Sequence, residues 1–392
     1  MPHVCGLRTK GFAEALSLRD HEVVLLTQAL PETTSMPPVD KIVEDFSRPR
    51  NSEPLVLGCQ PRGHLWSRRA RRGQLPLILN KAVLAGSFLV SGGPFADWVS
   101  GSRPYLPELA DHWRPDVIWA TFGNTGAWLI AQRVARRAGC RWIMDMKDPW
   151  PDFIPAPMRR LLARRFRDAA AATALADVLG DDLHRWFGIE PVTVPSGVDT
   201  SATYATDQAP GNGEFRISLV GSLYHENDLR TLMEGIRAWA EERGDRSKRL
   251  AILEYFGDET DRFTSATKDL SGVCEIRTRG FVTPAELLRH LRTSRVNAFV
   301  NARSGFRHKI LEFAVAGKPI LCLPAVGTDE RTIVQQAGGM LHDCSMAAEV
   351  KSALDSIDSE NYRDTAVPVD TDRFSWDARA AQLERVFERV LS

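Results

Sequence analysis

The stretch that decides the architecture runs from Val296 to Leu323, VNAFVNARSGFRHKILEFAVAGKPILCL. It opens with a short, mostly apolar run, Val296–Val300, too short for a buried helix and bounded by polar residues, which predicts a strand. The loop Asn301, Ala302, Arg303, Ser304, Gly305, Phe306, Arg307, His308 follows, and then a helix from Lys309 to Ala316 that closes at Gly317. A second apolar run, Pro319 to Leu323, returns as a strand. Strand, loop, helix, strand is the unit of a parallel sheet, and in such sheets ligands sit at the carboxyl ends of the strands, where helix N-termini offer free amides. Gly305 lets the backbone approach a ligand closely. Three basic side chains crowd the start of this helix, where acidic residues are the rule, and that concentration of positive charge calls for an anion. Glu312 lies one turn after Lys309 and shares its face; a carboxylate so placed can accept both hydroxyls of a ribose. The plainer reading is a surface Lys–Glu pair that supports a helix by a few tenths of a kcal/mol.

The same alternation extends outward in both directions. Upstream stand a strand Phe215 to Val220, a helix from about Asp228 to Glu242, strands Leu250 to Phe256 and Cys274 to Thr278, and a helix Pro284 to Thr293. Before them lies Thr200 to Gly213 (TSATYATDQAPGNG), polar, aperiodic and bearing Gly and Pro, which reads as a linker. The amino-terminal half has its own run: helix Gly11 to Ser17, strand His21 to Thr27, strand DVIWAT after Pro115, helix Thr125 to Ala138, strand Cys140 to Asp145, a helix Leu161 to Ala176 rich in Ala and Arg, and a strand-to-turn segment Pro191 to Asp199. The strands are nearly continuous in apolar residues, as when helices cover both faces of a sheet. Trp376 to Leu391 is amphipathic and buries one face. The fold class is α/β, two Rossmann-like domains in tandem.

Composition fits. The chain has 392 residues, 43% hydrophobic and 26% charged, which suits two globular domains and excludes a disordered scaffold. Lys+Arg and Asp+Glu number 50 each, and no nucleic-acid-binding motif is present, so no nucleic-acid partner is expected. The cysteines (Cys5, Cys59, Cys140, Cys274, Cys322, Cys344) form no CxxC pair and no metal-ligand spacing, so they read as reduced thiols, and no metal is expected. No signal-peptide pattern opens the sequence, and a cytoplasmic location is expected. Charge is uneven: residues 51 to 167 hold 18 Lys+Arg against 8 Asp+Glu. Such runs are either solvated helix faces or a patch for anionic headgroups, each basic residue contributing about 1 kcal/mol near such a surface. The most apolar stretch, Leu75 to Val90, carries Asn80 and Lys81 and is too short and polar to span a bilayer, though suited to lying on one.

HKILEFAVAGKPIL (His308 to Leu321) resembles the nucleotide-binding signature of GT-B glycosyltransferases, family 4. Four further segments agree, in the family's order: VPSGVD (Val194 to Asp199), FRISLVGSLYHENDLRTLMEG (Phe215 to Gly235), RGFVT (Arg279 to Thr283) and FSWDARAAQLERVF (Phe374 to Phe387). DMKDPWPD (Asp145 to Asp152) is similar to the "RDPW" segment of a bacterial subgroup. The resemblance covers nearly the whole chain. It implies an acceptor-binding domain over residues 1–200, a nucleotide-sugar-binding domain over 201–373, a cleft between them, and a helix over 374–392 that crosses back to the first domain.

It also implies transfer of a sugar from a nucleotide diphosphate to an acceptor hydroxyl, usually with retention and with neither metal nor cofactor. The donor residues it implies are Gly221, Ser222, Phe281, Val282, Arg303, Ser304, Gly305, Phe306, Arg307, Lys309 and Glu312, with Lys309 meeting charge on the leaving phosphate. On the acceptor side stand Gly6 and Arg8 in an opening loop, Asp145, and Asp148 as the catalytic carboxylate. Asp148 ranks above Asp145 because Pro149 and Trp150 fix its loop; the alternative is an Asp that merely caps the next helix. The implied setting is synthesis of a bacterial cell-surface polysaccharide or glycolipid, with a lipid-linked acceptor and peripheral association with the inner face of the plasma membrane.

The sequence departs from the family pattern at several points. Ser222 and Asn227 stand where relatives carry phosphate-binding Arg and Lys, and Ser304 stands where the first of two glutamates is usual. The opening strand expected before the first glycine-bearing loop is not legible. Two other readings therefore stay open: a non-catalytic relative that binds a nucleotide or a partner, and a nucleotide-sugar epimerase.

Overall fold

The computed structural model describes residues 4–29, 39–47, 52–199, 214–244, 250–302, 309–359 and 372–392. The chain divides into two compact units, Met1–Gly197 with Trp376–Ser392, and Val198–Ser375. The division falls at Gly197–Val198, just ahead of the linker at 200–213, which lies outside the described residues.

Among the described residues, the strands of unit 1 fall into two parallel sheets. One pairs β1 (Val24–Gln28) with β2 (Leu55–Cys59); the other runs β3 (Val117–Phe122), β4 (Arg141–Met146), β5 (Ala171–Ala174), β6 (Pro191–Thr193) in that order. The helices Val4–Leu18 and Trp376–Leu391 cover the second sheet with a shared core of Phe12, Leu16, Ile143, Val194, Leu383 and Val386. Phe12 meets the edges of Trp119 and Trp376 at centroid distances of 5.2 and 5.4 Å. Gly11 leaves room for the Trp376 indole, which a Cβ would overlap. The helix Thr125–Ala138 packs on β3, and its Trp128 stacks on Trp150 at 5.7 Å; both indoles are fully buried. Trp142 is buried as well, and Trp119 donates from Nε1 to Thr173 Oγ1 at 3.0 Å, so these tryptophans are core rather than sugar platforms.

Two expectations are corrected. The first helix starts at Val4, not Gly11, so Gly6 and Arg8 are helical rather than part of an opening loop. The Ala- and Arg-rich segment is not one helix to Ala176: the helix Ala156–Arg165 stops, and Ala171–Ala174 is β5, between β4 and β6. Alanine favours helix intrinsically, but its small side chain also suits a strand under close-packed helices, and tertiary context wins. Ala172, Thr173 and Ala174 are all fully buried.

Unit 2 holds one parallel six-stranded sheet, β7 (Glu214–Val220), β8 (Leu250–Phe256), β9 (Glu275–Thr278), β10 (Val296–Val300), β11 (Ile320–Leu323) and β12 (Leu341–Asp343), in the spatial order β12-β11-β10-β7-β8-β9. The order reverses between β7 and β10. Chain connections leave those two strands on opposite faces, and the crevice at their carboxyl ends is the switch point where open α/β sheets bind ligands. The central strands are mostly apolar, and every residue of β10 is buried, Asn297 included. The helix Lys309–Ala316 follows β10, and Gly317 closes it in the left-handed region at φ +68°.

Candidate functional site

Unit 2 brings the ends of β7 and β10 together through one side chain. Lys309, first residue of its helix, reaches across the switch point and donates from Nζ to the Val220 carbonyl at 3.0 Å. Its ammonium also lies 5.0 Å from the Phe299 ring and 5.7 Å from the Tyr224 ring. The charge therefore sits directly beneath the turn Gly221–Ser222. Gly221 is left-handed at φ +87°, which favours glycine, and a Cβ there would lie 2.8 Å from Lys309 Nζ, so that the flexible lysine end would have to shift. The turn is pinned from behind. Gly221 N donates to Phe256 O at 2.8 Å, the Tyr255 hydroxyl donates to Gly221 O at 3.0 Å, and Leu223 N donates to Glu259 at 2.5 Å. Burial pushes the Tyr255 hydroxyl up to about 12, so it remains a donor throughout the physiological range. Ser222 is exposed on the outer side of the turn.

Glu312 lies one turn after Lys309, on a helix whose neighbouring residues Ile310, Leu311, Phe313 and Ala314 are buried. Desolvation lifts its carboxyl to about 7, against a downward pull from Lys309. Glu312 itself is half-buried rather than on an open surface. Phe281 and Val282 follow β9 in the turn after Gly280, at the carboxyl edge of the same sheet, with Phe281 61% exposed and Val282 half-buried. Arg303, Ser304, Gly305, Phe306 and Arg307 lie outside the described residues.

Unit 1 separates the two aspartates of DMKDPWPD. Asp145, on β4, takes a two-point ion pair from Arg8 (Nε–Oδ2 2.9 Å, Nη2–Oδ1 2.6 Å) and a third bond from Thr173 Oγ1 at 2.7 Å. Arg8 also donates to Ser196 Oγ at 3.2 Å and the Val194 carbonyl at 2.9 Å, and both side chains are wholly buried. This corrects the expectation that Arg8 and Asp145 face an acceptor: their hydrogen-bonding capacity is spent inside the domain, tying the first helix to β4 and the β6 turn. Gly6 lies on an exposed turn of that helix. Asp148, past the end of β4, is 26% exposed and bonded to Lys147 Nζ at 2.7 Å. It does not cap the helix Trp150–Phe153, whose cap position is Pro149 with no side-chain bond.

Sequence reasoning missed Tyr255, Glu259 and Lys147. The first two reach Gly221 and Leu223 only because β8 lies beside β7, a neighbour relation that no spacing along the chain displays. Lys147 adjoins Asp148 in sequence, and a Lys–Asp pair ahead of Pro-Trp is a signal that could have been used.

The order-reversing parallel sheet of unit 2, with Lys309 bonded across its switch point, and an α/β unit 1 that includes the C-terminal helix are the two Rossmann-like domains of the GT-B fold. Residues 5–197 match the family described as glycosyl transferase 4-like domain, and the chain has the two-domain GT-B fold. A search among curated proteins finds no match. Among solved structures, the chain is similar to a glycosyltransferase from Rickettsia africae, with 12% identity, TM-score 0.66, and coverage of 100% of this chain and 96% of that one. Sucrose-phosphate synthase from Thermosynechococcus elongatus aligns at 14% identity and TM-score 0.68, over 99% and 94% of the two chains. Anabaena Alr3699/HepE, solved in complex with UDP and glucose, aligns at 14% identity and TM-score 0.59, over 94% and 100%.

Proposed function

We propose that the chain is a retaining, metal-independent glycosyltransferase that moves a sugar from a nucleoside diphosphate held on unit 2 to an acceptor hydroxyl held on unit 1. The observation that carries the reading is the Lys309–Val220 bond, which fixes a cation under the Gly221 turn at the switch point. A diphosphate lies against the amides of Gly221 and Ser222 and the start of the Lys309 helix; its ribose hydroxyls bond Glu312; and its base meets the Phe281–Val282 turn. As the glycosidic C–O bond breaks, the β-phosphate takes the bonding pair, and Lys309 with Arg303 and Arg307 meets that charge. The acceptor oxygen bonds the anomeric carbon on the face the phosphate leaves, and its proton passes to Asp148. Crystals of Anabaena Alr3699/HepE with UDP-glucose support the donor class. The excess of positive charge between residues 51 and 167 supports a lipid-linked acceptor, a place on the inner face of the plasma membrane, and a role in polysaccharide or glycolipid synthesis.

Ser222 and Asn227, in place of two cations, favour a second reading in which the chain binds a nucleotide without turnover. Calorimetry with UDP, GDP and ADP on the unaltered chain, Lys309→Ala and Glu312→Ala tests the donor site. One nucleotide binds in the micromolar range and weakens at least tenfold, about 1.4 kcal/mol, in either variant. Binding of none of the three overturns the site. Binding without hydrolysis or transfer of any matching nucleotide sugar selects the second reading.

A further inference from the structure

The helix Leu77–Ser91 turns an apolar face to solvent. Ile78, Ala82, Ala85 and Leu89 recur at helical spacing and are all exposed, Ile78 at 85% and Leu89 at 60%, with Leu77, Leu79 and Val90 on the flanks of the same face. The opposite side is anchored: Phe88 and Ser87 are buried, and Ser87 Oγ meets Ser67 Oγ at 2.6 Å, seating the helix Leu65–Arg71 alongside. That second helix adds Leu65 and Trp66 to the exposed apolar surface.

Charge is arranged around this surface in one sign. From Pro54 to Ala96 the sequence has six Lys and Arg residues and no Asp or Glu. Two of the six turn inward to Asp97: Arg71 as a two-point pair at 2.8 and 2.7 Å, and Arg68 at 4.0 Å. The other four, Arg62, Arg69, Arg72 and Lys81, are exposed, and none meets a carboxylate among the described residues. Arg69 lies over the Trp66 ring at 5.8 Å, and Lys81 follows Ile78 by one turn, so its long stem can run along the apolar face to a charged surface.

We propose that unit 1 docks on anionic lipid bilayers by laying the helix Leu77–Ser91 in the headgroup region, with Leu65 and Trp66 inserted beside it and the four exposed cations on lipid phosphates. The helix is about 22 Å long at 1.5 Å per residue, shorter than the hydrocarbon core of about 30 Å, so it lies in the interface and does not cross. No described helix is long and apolar enough to span a membrane. A second copy of the chain is a poorer occupant, because a two-fold contact sets the same four cations against themselves. The inference rests on the reading of a membrane-borne acceptor and names the surface that reaches it.

Vesicle flotation of the full chain, without nucleotide or acceptor, tests docking apart from the donor site, and calorimetry on the same samples reports that site separately. The chain floats with phosphatidylcholine–phosphatidylglycerol vesicles and at least tenfold less with phosphatidylcholine alone. Ile78→Glu/Leu89→Glu and Arg69→Glu/Arg72→Glu each lower flotation at least tenfold while nucleotide binding is unchanged, and urea unfolding followed by the tryptophans of unit 1 matches that of the unaltered chain, which shows that unit 1 folds in both. Emission from Trp66, taken as the difference from Trp66→Phe, moves to shorter wavelength on vesicles. Absence of flotation with anionic vesicles overturns the proposal, as does equal flotation of both double variants. A concentration-dependent dimer that Ile78→Glu/Leu89→Glu dissolves assigns the face to a second copy instead.

Discussion

Arg8 and Asp145 form a two-point ion pair sealed inside unit 1, 137 residues apart in sequence and wholly buried. Removing one partner leaves the other charge stranded in the core. Asp145→Asn and Arg8→Met are each expected to destabilise unit 1 by about 3–5 kcal/mol, read by urea or thermal unfolding. If Asp145→Asn instead abolishes transfer without moving the unfolding transition, Asp145 is chemical after all.

Asp148 gives the opposite pattern. It is partly exposed and bonded only to its neighbour Lys147 among the described contacts, so Asp148→Asn should cost less than about 1 kcal/mol in stability. As general base, its loss lowers kcat by roughly 10²–10⁴-fold. Parallel melting curves and initial rates distinguish this from a structural role, and an unchanged rate removes Asp148 from the mechanism.

Glu312 makes nucleotide binding depend on pH. Its carboxyl titrates at about 7, and the ribose hydroxyls need the ionised form as acceptor. Affinity should rise with pH up to about 7 and level off above it, while Glu312→Gln, weaker throughout, shows a flatter curve. Stability runs the other way. The folded pKa lies above the ordinary 4.5, so the folded state holds the extra proton across that window, and stability falls as pH rises from 4.5 to about 7. Calorimetry and melting over the same pH series check both signs.

Gly221 combines a positive φ with a Cβ position 2.8 Å from the movable Lys309 Nζ. Gly221→Ala should displace Lys309 and weaken nucleotide binding at least tenfold, with a stability loss of about 1–3 kcal/mol. Binding at the original strength would show that the turn does not carry the diphosphate.

On the proposed reading, Lys309, Arg303 and Arg307 meet the charge on the leaving phosphate, and no step calls for a divalent ion. Transfer is accordingly expected to persist in EDTA at the rate measured with added Mg²⁺; a rate that collapses on chelation and returns with the metal overturns that part of the reading.

Much of unit 2 was legible because its signals are local. Leu250–Phe256, Val296–Val300, Pro284–Thr293 and Lys309–Ala316 are read from apolar runs, a Pro-led helix start and a glycine stop, and the structure has the same bounds. Lys309 and Glu312 were singled out by charge and spacing at a helix start. The buried Arg8–Asp145 pair was not, since an Arg near the chain start and an Asp at a strand end each look like a ligand group until tertiary packing joins them. The Ala169–Ala174 run misled because helix propensity and strand burial favour the same small residue. The sequence allowed Leu75 to Val90 to lie on a bilayer but did not fix which of its faces is exposed; apolar periodicity tells which residues share a face and not whether that face is covered.

The separation of β1–β2 from β3–β6 carries a mechanical consequence. Among the described residues, β1 and β3 each pair on one side only, and Val24, Leu25, Leu26, Val117 and Ile118 are only half-buried, unlike the fully covered β10. A sheet resists shear through its ladder of backbone bonds, and here the ladder is interrupted, so helices alone transmit force between the pair and the quartet. Unit 1 is thus the compliant half of the enzyme. Scanning calorimetry is therefore expected to show unit 1 unfolding before unit 2, with aggregation starting at its uncovered strand edges.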